Sequence, residues 1–477
     1  MAERNHFAWD LAGRSALPRR RPAPAGIGRT AASLIGLGVA LAPATVLAQV
    51  FTEPLVPVPP LPISPAIPGA PAATPALQFL PRGFSVADRP RPELDPLGLQ
   101  FGDFFFFPRA EVDEAYNDNI FAARTGKTSA FITTFAPSFD LRSNLPQNAI
   151  NFSAGGAFVR YDEHTALNSD NGFGDVNGRL DVDNAHFFTG DLRVERSNIT
   201  LGEPQVPGNA ASPLKFNDYN ATFGFDQYRL RIGYEVTATV RREEYEAIPL
   251  VGGGSLPESN LNNFAYEAAI RPYYEFTPGY QAYLRVAYNR RDYDHAEGNG
   301  VPTLSSDGYR VDVGARVDLT GVTYVDGFVG YLDQIYQASA FGRIGGVDFG
   351  AKVVWNVTQL TSIAANVGRT VEDINDAVLA GVANSPGFLA TTAGVSIDHE
   401  LLRNLLLNGT LAYTNDVFEN ITRTDNIYSG TAGVKYLLNR HLYLGASYTY
   451  QRVNSNGQGA MIPFSQNIFL LRISTQL

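Results

Sequence analysis

The stretch Tyr309-Arg310-Val311-Asp312-Val313-Gly314-Ala315-Arg316-Val317-Asp318-Leu319 decides the fold. Its odd positions are apolar or aromatic and its even positions are charged or glycine. Only an extended strand turns such a period-two alternation into two chemically different faces. A strand in an ordinary sandwich runs about 5–6 residues, whereas a tilted strand crossing a bilayer needs about 9–11. This one has the longer span.

The pattern repeats on both sides. In 280–292, Ala282, Leu284, Val286 and Tyr288 alternate with Gln281, Tyr283, Arg285, Ala287 and Asn289. In 229–241, Leu230, Ile232, Tyr234, Val236, Ala238 and Val240 alternate with Arg229, Arg231, Gly233, Glu235, Thr237, Thr239 and Arg241. In 441–453, Leu442, Leu444, Ala446, Tyr448 and Tyr450 oppose Tyr443, Gly445, Ser447 and Thr449. Connections alternate too. Tight turns fall near Gln227, Pro278, Gly321, Thr358, Arg403 and Arg440, and long Gly/Asn/Ser-rich loops fall near 197–213, 247–262, 294–306, 372–387 and 454–463. Short turns on one side and long loops on the other are the asymmetry of a transmembrane barrel. The expectation is an all-β, antiparallel up-and-down barrel over residues 104–477. It should have about 18 strands, two of them near 173–183 and 228–242, or 16 if the irregular first two drop out. An even count puts both barrel ends on the periplasmic, short-turn side.

Aromatic placement gives an independent check. With that topology the outward Tyr266, Tyr288, Tyr309, Tyr331, Tyr413, Tyr428, Tyr448 and Tyr450 fall at loop ends of strands. Outward Trp355, Tyr274 and Tyr436 fall near turn ends. Amphipathic rings collect at the two membrane interfaces, and a soluble sandwich has no reason to sort them this way.

Composition fits. Phe (30) and Tyr (23) far outnumber Trp (2), Gly reaches 45, and charged residues are only 18%. Mean hydropathy is -0.11, which a barrel with a watered inner face produces naturally. There is no cysteine, so disulfides and thiolate chemistry are excluded.

The amino terminus reads as a signal peptide, residues 1–48. Arg19, Arg20, Arg21 and Arg29 precede an apolar run from Ala31 to Val46, and Val46-Leu47-Ala48 offers a cleavage site. Its six arginines against Glu3 and Asp10 give a net of +4, which leaves the chain after Ala48 near -14 from a whole-chain -10. Such acidity argues against nucleic-acid binding. No later segment approaches 18 apolar residues, so no transmembrane helix is expected. Residues 49–103 read as a Pro-rich periplasmic tail or linker, through runs such as Pro59-Pro60-Leu61-Pro62.

The run Phe107-Pro108-Arg109-Ala110-Glu111-Val112-Asp113-Glu114-Ala115-Tyr116-Asn117-Asp118-Asn119-Ile120-Phe121 is similar to the opening of the "putative β-barrel porin 2" family of proteobacterial outer-membrane proteins. In that family a strand ending in a Tyr-x-Asp-Asn-like sequence leads into the barrel. The resemblance covers residues 104–477. It implies a porin-like barrel in the outer membrane of a Gram-negative bacterium, often encoded beside exopolysaccharide genes, and it supplies no catalytic residues. The final strand, in which Phe469, Leu471 and Ile473 alternate with Leu470, Arg472 and Ser474, resembles the signal read by the barrel-assembly machinery. Leu477 stands where Phe or Trp is usual. That machinery, outer-membrane lipid and lipopolysaccharide are the expected partners.

Candidate chemistry is sparse. His164 and His295 lie in loops beside Asp162-Glu163 and Asp292-Tyr293-Asp294, while His186, His399 and His441 sit at turn ends. No nucleophile or metal-ligand spacing accompanies them, so neither enzyme activity nor a metal is expected. Asn168-Ser169-Asp170-Asn171-Gly172 and Asp373-Ile374-Asn375-Asp376 resemble calcium loops without the closing Glu. The inward charges are more informative. Arg229, Arg231, Arg241, Arg271, Arg285, Arg291, Arg310 and Arg316 share the lumen face with Glu235, Glu267, Glu275, Asp312 and Asp318. They form either a ladder of cross-strand ion pairs or an arginine-rich wall that selects anions. Tyr273, Tyr283 and Tyr443 are candidate sugar-stacking rungs, with plain filling of the lumen as the alternative. The expectation is a cofactor-free channel for polysaccharide or small anionic solutes. The alternatives are a structural or adhesive barrel plugged by residues 49–103, and an outer-membrane hydrolase using loop carboxylates and His.

Overall fold

A computed structural model of the chain describes residues 85–87, 89–203, 205–227, 231–296, 302–319, 321–374 and 385–477. The expected signal peptide and most of the Pro-rich tail lie outside them, as does Arg229.

The alternating segments become strands that pair with their neighbours in sequence. They are β1 (Phe104–Asn117), β2 (Ala130–Ser143), β3 (Ala149–Tyr161), β4 (Ser169–Asp181), β5 (His186–Ile199) and β6 (Leu214–Gln227). Then follow β7 (Ile232–Tyr245), β8 (Asn263–Thr277), β9 (Tyr280–Tyr293), β10 (Ser306–Leu319), β11 (Thr323–Tyr336) and β12 (Arg343–Thr358). The last six are β13 (Thr361–Asp373), β14 (Gly387–Leu402), β15 (Leu405–Phe418), β16 (Thr424–Leu437), β17 (Leu442–Asn456) and β18 (Phe464–Gln476). Every pairing is antiparallel. β18 returns to β1 through Val112↔Ile473 and Tyr116↔Phe469, which closes an 18-stranded barrel. Closure removes the open sheet edges that a membrane could not satisfy.

Two strand starts lie four residues from the sequence reading, and the other starts lie within two. The segment expected at 173–183 forms Ser169–Asp181, because Ser169 and Asn171 pair with Val159 and Ala157 and carry the strand into what looks like a polar loop. The segment expected at 228–242 begins at Ile232 and runs to Tyr245, where Tyr245 pairs with Phe216. The first two strands, irregular in sequence, are full-length.

The two faces separate as the register requires. Outward aliphatics in the middle of strands are open to the surroundings, as at Val313 (61% exposed) and Leu411 (69%), so the barrel wears an apolar band. The tyrosines flanking that band pair their hydroxyls. Tyr288 donates to Asp307 at 2.6 Å, Tyr413 to Asn426 at 2.7 Å and Tyr448 to Asn467 at 2.8 Å. Tyr309, Tyr331, Tyr450, Trp355 and Tyr436 are likewise outward and exposed. An apolar ring body with a satisfied polar tip suits the membrane interface.

The described residues before β1 are not a loose tail. From Ser85 the chain lies as a strap against the turn-side ends of β13–β17, and Leu99–Phe101 then pairs antiparallel with Phe104–Phe106. Val86 packs with Leu406, Leu437 and Tyr443, all on inward positions. The strap therefore occupies the lumen side of the short-turn mouth.

Candidate functional site: the barrel lumen

At the long-loop end the inner wall carries apolar clusters, and loop residues cover them. Phe341 packs on Leu332, Tyr336 and Ile344. Ile374 packs on Phe388, Ala390 and Phe418. Val206 and Ala210 pack on Ile199, Leu214, Phe216 and Ile248. Loops that read as polar and outward instead fold inward over the mouth, because apolar inner positions at strand ends gain by being covered. The loop between β5 and β6 carries Glu203, 3% exposed, whose carboxyl burial pushes up to about 8. A Cβ at the neighbouring Gly202 would overlap Ala122 and Phe464, so this loop also meets the β1–β2 loop and β18.

Below that cover the wall is charged on β7–β12. Arg271 forks onto Glu235, with Nε donating at 2.9 Å. Arg285 donates to Asp312 at 2.7 Å, and Arg310 pairs with Asp348 at 2.7 Å. Arg316 pairs with Asp326 at 3.0 Å, and Arg241 with Asp218 at 2.9 Å and Glu243 at 2.8 Å. Arg291 meets Asp373 at 2.7 Å, and the hydroxyls of Tyr293 and Tyr336 donate to the same carboxylate at 2.6 Å. Asp373, suggested as a calcium-loop residue, is thereby fully engaged; Asn375 and Asp376 lie outside the described residues. Arg231 is exposed at the turn end and makes no ion pair among the described residues, and Glu267 and Asp318 likewise have no basic nitrogen within 4 Å. Asp318 instead accepts from the Gly321 amide at 3.2 Å, and Glu275 from the Gly279 amide at 2.9 Å. The arginines read from the sequence thus mostly brace the wall, by cross-strand pairing.

The inward tyrosines brace it too. Tyr273 lies over Gly233 and Tyr283 over Gly314, where a Cβ would overlap each ring. Arg271 covers the Tyr283 ring at 4.9 Å, and the Tyr283 hydroxyl donates to Asp326 at 2.8 Å. Tyr443 is 2% exposed, donates to Glu111 and carries Lys435 at 3.8 Å over its ring. None of the three offers a free face, so the sugar-stacking expectation is corrected: the rings fill grooves that glycines leave open.

Sequence reasoning missed the seam. Arg472 on β18 donates to Asp113 on β1 and sits 3.3 Å from Glu111. Asp118 accepts from the Asn467 amide at 2.7 Å, and Asn119, fully buried, donates to Ala123 and Ser465 carbonyls. The Tyr-x-Asp-Asn-like run is therefore a latch between first loop and last strand. Inward Asp113 and Arg472 on the two terminal strands were the available signal, since closure makes those strands neighbours.

Elsewhere uncharged polar side chains line the wall, on β3–β7 interspersed with charges such as Asp175, Asp191 and Asp226. β3–β7 present Asn151, Asn171, Asn177, Thr222 and Thr239, and β13–β17 present Asn366, Asn408, Thr410, Thr431 and Thr449, all on inward positions and most of them half-exposed. Thr222 and Thr239 hydroxyls meet at 3.1 Å, as do Thr431 and Thr449 at 3.0 Å. Of the histidines, His164 packs edge-on against Phe121, and His186 and His399 sit beside Asp183 and Thr361. No group of three metal-ligating side chains occurs among the described residues.

A closed antiparallel barrel with an apolar outer band, paired aromatic belts and a polar inner wall defines the class of porin-like outer-membrane barrels. The chain belongs to the family described as "Putative beta-barrel porin 2", whose model matches residues 91–477. No curated protein matches the sequence. Among solved structures it is similar to the ferric citrate transporter FecA in its unliganded form, at 8% identity and TM-score 0.42, covering 80% of this chain and 79% of that one. It is also similar to OccK1 (OpdK) of Pseudomonas aeruginosa, at 10% identity and TM-score 0.41, covering 78% and 99%. OpdL of the same organism follows at 11% identity and TM-score 0.40, covering 79% and 100%.

Proposed function

We propose that the protein is a passive porin-like channel of the Gram-negative outer membrane, reached through a cleaved signal peptide, that passes polyhydroxylated solutes. Chains of an envelope polysaccharide are the fitting class. The observation that carries this reading is the inner wall itself, where amide and hydroxyl side chains on β3–β7 and β13–β17 offer donors and acceptors at solute height without a fixed catalytic constellation. The arginines suited to holding small anions are instead tied to carboxylates on neighbouring strands. The test is planar-bilayer conductance of the refolded protein. Neutral oligosaccharide should reduce the current in a dose-dependent way, and a current indifferent to it would refute the polysaccharide reading.

The strap and the inward loops favour a second reading, a barrel closed at both mouths that serves as a structural element. Absence of any conductance from a folded, heat-modifiable protein would select it.

A further inference from the structure

We infer that the lumen prefers cations, so that the solutes it passes are neutral or positively charged and acidic sugars are disfavoured; this rests on the channel reading above. On the wall from β2 to β11 the described lumen-facing arginines, the turn-end Arg231 excepted, each have a carboxylate within 4 Å, for example Arg179 with Asp181 and Arg193 with Glu195, both at 2.7 Å. The carboxylates are not matched in return. Asp175, Asp191, Asp226 and Glu267 have no basic nitrogen within 4 Å among the described residues, and Asp218 and Glu243 share the single Arg241. Against this surplus stand Arg231 at the turn end, Lys352 on β12 and Lys435, which is 4% exposed and covered by the Tyr443 ring.

The surplus is also placed to act. Asp175, Asp191 and Asp226 sit on β4, β5 and β6, three consecutive strands, and all are half-exposed toward the lumen. Asp226 stands directly opposite Glu235, so no arginine intervenes between the two acids. A concave surface with a low-dielectric wall and one sign of uncompensated charge concentrates counter-ions, and carboxylate-lined constrictions are how channels favour cations. Ion pairs leave only short-range dipoles, which fade within the lumen, whereas an uncompensated charge reaches about a Debye length of roughly 10 Å at 0.1 M salt.

The experiment is the reversal potential of the full-length protein in a planar bilayer under a tenfold KCl gradient at pH 8. The expected sign is that of potassium preference, shrinking when both chambers are raised toward 1 M salt. Asp191→Asn combined with Asp226→Asn should move the potassium-to-chloride permeability ratio toward unity while the conductance persists. Glu267→Gln, on a separate strand, should move it the same way, which keeps the test sound if the double variant fails to fold. An amino-sugar oligomer should block the current at lower concentration than a uronic-acid oligomer of equal length. Chloride preference in the unmodified protein, or a ratio untouched by both variants, would overturn the cation assignment and leave the channel standing. A folded protein without current would overturn both.

Discussion

Arg472, near the carboxyl end of the chain, donates two hydrogen bonds of 2.7 Å to Asp113, near the start of the barrel, and both side chains are buried inside the wall. Among the described strands, the pair spans the only junction between barrel strands that are not neighbours in sequence. Backbone pairing at this seam must assemble without a hairpin to hold it in register, so a forked ion pair there sets alignment as well as attraction.

Breaking that pair should cost more than its net attraction, because the remaining charge stays buried. Asp113→Asn or Arg472→Gln should destabilise the barrel by about 3–5 kcal/mol, read as a lower temperature for loss of the compact gel band. A midpoint equal to that of the unmodified protein would mean the seam is held by backbone pairing alone.

The lipid face and the lumen face should respond differently to the same charge. Val313→Arg or Val286→Arg places a guanidinium in the apolar band at a cost of about 2–4 kcal/mol. Thr237→Arg, on the inner wall, should be near neutral. Gly314→Arg would be a poor inner-wall control, because Tyr283 occupies the space above Gly314. Equal sensitivity at Val313 and Thr237 would contradict the register.

The glycine grooves make a coupled prediction. Gly314→Ala should cost about 1–3 kcal/mol by displacing the Tyr283 ring. In a Tyr283→Ser background the same change should cost little. A double-mutant cycle with no coupling would remove the groove-filling role assigned to that tyrosine.

Glu203 supplies a pH dependence. Its folded carboxyl titrates at about 8 against an ordinary value of 4.5, with burial as the cause, so the docked loop holds a proton that the released loop gives up. Docking is then strongest below pH 4.5, weakens as pH rises toward 8, by up to about tenfold per unit, and levels off above. Limited proteolysis within 200–213 should accelerate between pH 5 and pH 9, and Glu203→Gln should flatten the profile. Equal cleavage across that range would show that the loop does not close over a neutral carboxyl.

The strap should report on conductance. Arg91 is fully buried and donates to Glu400 at 2.8 Å and to the Val86 carbonyl at 3.1 Å. Glu400→Gln should free residues 85–98 to protease and raise single-channel current through the short-turn mouth. Unchanged current with a demonstrably released strap would mean that the constriction lies at the loop end.

The strands were legible because a period of two is imposed by backbone geometry, so Val313 and Asp312 declare their faces from sequence alone. Pairing across the wall was less so. Arg310 meets Asp348 on β12, two strands on, and no local pattern carries that choice over the nearer Asp312. The inward loops could have been read from Phe388, Phe418, Leu332 and Ile344, apolar residues on the face that should be wet. Such breaks in the alternation mark where something will cover the wall. Nothing in a proline-rich composition signals that Arg91 finds a buried acid some 300 residues away, since that contact depends on closure of the whole sheet.

What the strap grips lies far along the chain: Ser362 is separated from Val86 by 276 positions and Arg440 from Pro92 by 348. Residues 85–98 are synthesised before any strand, yet their seat is made from almost the last ones. They must therefore wait, with no more than a local turn at Arg91–Asp95, until the far side of the wall exists, and loop closure over such a span gains nothing until then. The segment that begins the barrel is in this sense its final piece, and its burial records that every strand between has taken its place.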